Sequence, residues 1–206
     1  MSRSPARDSV ARAPGRPREF VLEDVLDKAI VVFSEFGYPA TSLGKLTAAI
    51  GLTEGSIYKA FKDKRALFLA ALERYVDLRA SRLEQALSGA PTGFEQVRAV
   101  LELYVDYSHG AAGRRGCLVV GSAVDLASSD PEIAKRVNLI FKMHEKRLVH
   151  CVRQGQEDGS IRADVDAESV ARLLVCVLQG MRVLGKTGRS REDMTGPIKQ
   201  ALKLLE

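Results

Sequence analysis

The chain has 206 residues, of which 46% are apolar and 6% aromatic, with no tryptophan. That is enough apolar side chain for a core and too much for a disordered chain; no apolar run approaches the roughly 20 residues of a membrane span, and no apolar stretch directly follows the basic start, as a secretory signal would need. Net charge is +5, and the excess is uneven: residues 1–18 carry Arg3, Arg7, Arg12, Arg16 and Arg18 against Asp8, whereas residues 66–206 carry 20 basic and 18 acidic side chains. A basic arm on a near-neutral body suits a polyanionic partner.

Residues 1–18, rich in Ser, Ala, Arg and Pro, read as a disordered arm. From Phe20 the pattern turns helical. Leu22, Leu26, Ala29, Phe33 and Phe36 recur at three- and four-residue steps, and Gly37 with Pro39 ends a first helix over 20–36. Thr41 or Ser42 can cap a second helix, 43–50, that ends at Gly51. Thr53 caps a third, 54–60, and Asp63 a long fourth, 64–87. The loop 88–93 marks the start of a second region. Helices follow over 94–108 and 117–127, separated by the glycine-rich stretch 110–116, which is expected to be a flexible loop. Asp130-Pro131-Glu132 combines a cap, a proline at the first position and an acid in the first turn, and starts a helix to about 158. The eighth helix, about 166–186, is apolar on more than one face, and Ser190 caps a ninth, about 191–205. No strand alternation of useful length appears. The expected fold is all-α, with about nine helices.

The segment 43–61 carries the function. Two short helices joined by a tight glycine-containing turn form the helix-turn-helix that reads DNA. Gly51 is expected where a side chain would obstruct the crossing, and Ala48 and Ala49 where the helices must approach. Leu46, Ile50, Leu52 and Ile57 hold the pair together. Thr53, Glu54, Gly55, Ser56 and Lys59 leave the start of the second helix small and polar.

From Val25 to Leu69 these residues resemble the TetR (tetracycline-repressor) family of bacterial regulators. The likeness includes Ala29, Phe33, Gly37-Tyr38, Thr41-Ser42, Leu46, Ala49, Gly51-Leu52, Gly55, Ile57-Tyr58, Phe61 and Lys64. Two positions depart from it: Ala60 stands where many members have His, and Gly44 weakens its helix by up to ~1 kcal/mol. The resemblance implies that Thr41 or Ser42, Tyr58 and Lys64 contact phosphate, that Thr53, Ser56 and Lys59 read bases, and that Arg16 and Arg18 enter the adjacent minor groove, which attracts Arg. It also implies an inducer pocket in the second region and a homodimer through the eighth and ninth helices. Tyr104, Tyr107, Phe141, Cys176 and Met181 are the candidate pocket residues, since aromatic and sulfur side chains suit adaptable apolar sites.

Other constellations carry less. Cys117, Cys151 and Cys176 are an odd number at wide spacings and match neither a disulfide framework nor a zinc site, which points to reduced thiols in the cytoplasm. Cys117 follows Arg114 and Arg115 at a helix start, both of which lower a thiol pKa, so it is a candidate redox-sensitive thiol. His109, His144 and His150 lack the spacing of a helical metal pair, and neither a metal nor a cofactor is expected. No catalytic triad is legible. The reading is therefore a non-enzymatic, ligand-responsive DNA-binding regulator, with an arm over 1–18, a DNA-binding domain over 19–65 and an effector-binding and dimerisation domain over 66–206. A small, largely apolar effector is expected to release it from a palindromic operator. The rivals are a transcriptional activator and an all-helical small-molecule-binding enzyme or carrier.

Overall fold

A computed structural model describes residues 22–206. The basic arm, with the candidate groove contacts Arg16 and Arg18, lies outside the described residues. Within them the chain forms ten helices: α1 (Leu22–Ala40), α2 (Leu43–Ile50), α3 (Glu54–Ala60), α4 (Lys64–Leu87), α5 (Gly93–Ser108), α6 (Gly110–Arg115), α7 (Leu118–Asp125), α8 (Pro131–Asp158), α9 (Ala167–Gly185) and α10 (Arg191–Leu202). The all-α expectation holds. No described helix is long and apolar enough to cross a membrane.

The boundaries follow the capping chemistry read from the sequence. Ser42, Thr53, Asp63, Asp130 and Ser190 each cap a helix by accepting a hydrogen bond from a first-turn N–H, and so does Asp166, which the sequence reading did not single out. Such a cap stabilises a helix by about 1 kcal/mol. In α1, Gly37 has φ 75°, so regular helix ends there and a separate turn reaches Ala40. One expectation fails: the glycine-rich stretch 110–116 is not a simple loop but contains the short helix α6. Tertiary packing decides it, because a Cβ on Gly113 would lie 2.6 Å from the Ser108 carbonyl oxygen and 3.0 Å from that of Gly185.

Two apolar clusters fill the interior. One joins α1, α2 and α3 to the first half of α4, to α7 and to the start of α8, with Phe33, Leu46, Ile57, Phe68 and Ile133 essentially inaccessible. The other joins α5, the end of α8, α9 and α10 around Leu101, Leu148, Leu174 and Leu178. The first cluster runs past residue 65, so the DNA-binding helices share their core with α4, α7 and α8. α9 buries Ala171, Leu174, Leu178 and Met181 and leaves a second stripe in solvent. On that stripe Leu173, Val183 and Leu184 are 47%, 53% and 47% exposed, together with Cys176.

Candidate nucleic-acid interface and the cavity behind it

α2 and α3 are held from beneath by Leu46, Ile50, Ile57 and Phe61, all buried. Gly51 adopts φ 79°, and nothing lies within 4 Å of a Cβ built there. Its role is therefore conformational: a left-handed residue turns the chain where crowding was expected to demand the glycine. Ala48 and Ala49 are exposed rather than wedged between helices.

Above this support the polar residues face outward. Ser42 is exposed, and its hydroxyl accepts from the Lys45 N–H at 3.2 Å. At the start of α3, Thr53 Oγ1 accepts from the Ser56 N–H and lies 3.0 Å from Ser56 Oγ. Tyr58 is 44% exposed, and Lys59 is exposed one residue on. The structure thus brings Ser42, Thr53, Ser56, Tyr58 and Lys59 onto one two-helix unit, on which the Thr53 and Ser56 hydroxyls share one hydrogen bond. Lys45 and Lys62, which the sequence reading did not single out, are exposed cations in the same segment.

Thr41 and Lys64 are placed otherwise. Thr41 is buried, and its hydroxyl donates to the Gly37 carbonyl at 2.6 Å. The Lys64 ammonium donates to the carbonyls of Tyr38 at 2.8 Å and Thr41 at 2.7 Å, and sits over the Tyr38 ring at 4.3 Å. Burial pushes its pKa below the usual 10.5. The Lys64 side chain ties the start of α4 to the end of α1, and the Thr41 hydroxyl bonds back onto the end of α1.

α4 then runs into the second region. Arg74 pairs with Asp27 of α1 at 2.6 Å, and the Arg65 guanidinium reaches Asp130 at 3.0 Å and Glu132 at 2.8 Å at the head of α8. Further along, Tyr75, Arg79 and Leu83 line a cavity of about 130 Å³ that is bounded by α5, α7, α8 and α9. Of the candidate pocket residues, Tyr104 and Tyr107 line it. Phe141 packs instead against the first apolar cluster, Met181 is core beneath α9, and Cys176 is on the outer stripe. All three sit on the right helices but at helical angles that point elsewhere.

The wall is mostly apolar, but Arg79 and Arg182 both line the cavity. Arg182 is 2% exposed, and its Nη2 donates to the Gly116 carbonyl at 2.6 Å. The signal was available, since Arg79 continues the Leu72–Tyr75 stripe of α4 and Arg182 lies one turn past buried Leu178. Cys117 lines the same cavity and accepts a hydrogen bond from Tyr75 Oη at 3.4 Å. Burial alone would raise the thiol pKa; the nearby Arg182 guanidinium and the Tyr75 hydroxyl outweigh it and hold the thiol below 9.0. Arg114 and Arg115, invoked from sequence for this effect, are exposed, so Arg182 is the cation that matters. Tyr104 Oη lies 3.3 Å from His144 Nδ1, and burial pushes the His144 pKa below 6.5.

The chain matches two family models: "Bacterial regulatory proteins, tetR family" over residues 25–71, and "Tetracyclin repressor-like, C-terminal domain" over residues 93–200. The protein belongs to the TetR family. It is a DNA-binding transcriptional regulator. Among curated relatives it is 31% identical over 192 residues to the HTH-type transcriptional repressor ComR of Escherichia coli, covering 90% of this chain and 89% of that one. It is 27% identical over 174 residues to the HTH-type transcriptional repressor DhaR of a Mycobacterium species, covering 84% and 86%. Among solved structures, a cysteine mutant of the TetR family transcriptional regulator CifR in complex with 26-base-pair double-strand operator DNA superimposes with a TM-score of 0.83. That pair shares 30% identity, over 93% of this chain and all of CifR.

Proposed function

We propose that this TetR-family regulator is a homodimeric repressor that occupies a two-fold symmetric operator and leaves it when a small molecule fills the cavity. The observation that carries the reading is the polar, exposed start of α3, tied through α4 to an internal cavity. Repression is favoured over activation because ComR and DhaR, which align over most of the chain, are both named repressors. The protein acts by binding rather than by catalysis, in the cytoplasm where its DNA is.

In this reading residues 1–18 are an arm, 19–65 bind DNA, and 66–206 bind the effector and dimerise. Ser42 and the free N–H groups that open α2 meet phosphate, as helix N-termini do, and the Tyr58 hydroxyl meets a second phosphate. Thr53, Ser56 and Lys59 reach base edges, and Arg16 and Arg18 follow the minor groove. Lys64 serves by fixing the start of α4 against the end of α1, and Thr41 by holding the turn between α1 and α2. The exposed apolar stripe of α9, with α10 beside it, supports pairing with a second copy. A ligand against Tyr75 or Arg79 moves α4, and with it the spacing of the two α3 helices, which the duplex fixes at about 34–36 Å or a similar repeat. Linkage requires operator and effector to weaken each other equally, typically by 1–3 kcal/mol. Most of the effector is apolar, as most of the wall is. Cys117 is the nucleophile an oxidant or electrophile would meet in the same space.

Selecting bound duplexes from a random pool, together with sedimentation at micromolar concentration, tests this. Inverted half-sites and a dimer are expected. Selected DNA with no inverted symmetry, or a monomer, overturns the reading.

A further inference from the structure

The cavity holds polar groups that the folded chain leaves unanswered. Arg182 Nη1, Gln179 Nε2 and Tyr107 Oη are buried without a hydrogen-bond partner, and all three residues line the same cavity. The Arg79 guanidinium lies 3.6 Å from the Tyr107 ring centroid and 4.8 Å from that of Tyr75. Those contacts are to aromatic faces; neither Arg79 nor Arg182 is in an ion pair among the described residues. Glu84, the one carboxylate in the lining, is engaged by Arg147.

A buried donor without a partner is costly, and an uncompensated buried cation is costlier. A site that keeps buried Arg182 and half-buried Arg79 without a carboxylate partner, beside the unpartnered Gln179 Nε2 and Tyr107 Oη, is preorganised for an acceptor that carries negative charge. A guanidinium presents a planar fork that matches a carboxylate. The rest of the wall, including Val76, Leu83, Val100, Leu103 and Ile140, is apolar. An apolar cavity of roughly 150 Å³ holds benzene, so the space of about 130 Å³ admits one ring or a short chain.

We infer that the effector is a compact apolar monocarboxylate, whose carboxylate is bound by Arg79 and Arg182 and whose hydrocarbon part fills the apolar end of the cavity. This rests on the reading of the cavity as the effector site and adds the ligand's charge to it. It also supplies a route to the DNA-binding helices. Arg182 holds the Gly116 carbonyl, and a Cβ on Gly116 would lie 3.0 Å from the Ser34 carbonyl oxygen of α1. A carboxylate that reorients Arg182 therefore acts on the packing of α1 as well as on α4.

The test compares benzoate with its neutral isostere benzamide, and hexanoate with hexanamide, by calorimetric titration of the full-length protein with and without operator DNA. The same titrations are run on Arg79→Gln and on Arg182→Lys, which keeps the charge but loses the fork. One acid of each pair is expected to bind at least about tenfold tighter than its amide and to weaken operator binding. Arg79→Gln removes that preference without lowering amide affinity, and Arg182→Lys reduces it in part; thermal melts confirm that both variants fold. The bound acid should also protect Cys117 from iodoacetamide in peptide mapping. Amides that bind as well as the acids and also release operator overturn the anion preference while leaving the effector cavity standing. Acids that bind unchanged to both variants, or leave Cys117 unprotected, bind elsewhere and overturn the assignment. If no acid and no amide binds, both the assignment and the effector reading fall.

Discussion

On the outward polar face of α2 and α3 the contacts are short in sequence: Ser42 to Lys45 and Thr53 to Ser56 each span three residues. In the cavity they are long: Tyr104 meets His144 across 40 residues, Tyr75 meets Cys117 across 42, and Arg182 meets Gly116 across 66. The first set is exposed and the second enclosed. Exposed local contacts keep a surface shaped for a partner while leaving donors free. Buried long-range polar contacts are expensive unless satisfied. The two regions meet in the cluster that Leu46 and Ile57 share with Phe68 and Ile133. That shared core joins cavity-lining Tyr75, Val119 and Ile140 to the helices beneath the polar face.

The most damaging expected change strikes that junction. Leu46 is fully buried, and Leu46→Ala should cost roughly 2–5 kcal/mol of stability. Because the core is continuous, urea unfolding should show one transition shifted as a whole. Two separated transitions would mean that the DNA-binding helices fold independently of the cavity region.

Lys59 and Lys64 sharpen the contrast next. Lys59→Ala should alter preference at particular base pairs by about 1–3 kcal/mol and leave the melting temperature unchanged. Lys64→Met strips the Tyr38 and Thr41 carbonyls of their donor, so it should cost roughly 1–3 kcal/mol of stability and change the salt slope of DNA binding by less than one unit. A full-unit loss of slope with unchanged stability would restore Lys64 as a phosphate contact.

Gly55 offers a smaller effect of opposite sign on the two properties. Nothing lies within 4 Å of a Cβ built there, so Gly55→Ala should raise stability by up to ~1 kcal/mol. If α3 approaches DNA closely, the same methyl should weaken operator binding in an anisotropy titration. Unchanged affinity would mean that this face of α3 does not touch the duplex.

The mildest test concerns Cys117. Its thiol is held below 9.0 in the folded protein, so the folded state releases its proton first. Stability should therefore rise as pH is raised through the folded pKa toward 9, and iodoacetamide labelling of Cys117 should reach half its maximal rate below pH 9. Half-maximal labelling above pH 9 would show that burial outweighs Arg182.

The order of every helix but α6, the caps at Thr53, Asp63, Asp130 and Ser190, the narrowing of the α2 cap to Thr41 or Ser42, and the helix-turn-helix pattern were all determined by the sequence alone. The reason is that capping, helical periodicity and the Gly51 turn are interactions within a few residues. Even the surplus apolar face of α9 was legible, because it exceeds what one buried stripe needs. Tertiary structure alone decided the rest. It drew the glycine-rich stretch 110–116 into α6, removed Phe141, Cys176 and Met181 from the cavity, and placed Arg79 and Arg182 inside it. It also turned the Thr41 and Lys64 side chains inward onto carbonyls of the α1 end. A helical position is defined by its angle, and a difference of one residue, about 100°, separates cavity wall from core or solvent. Which side of α9 meets a cavity depends on where α4, α5 and α7 settle, and that is set by the packing of the whole core.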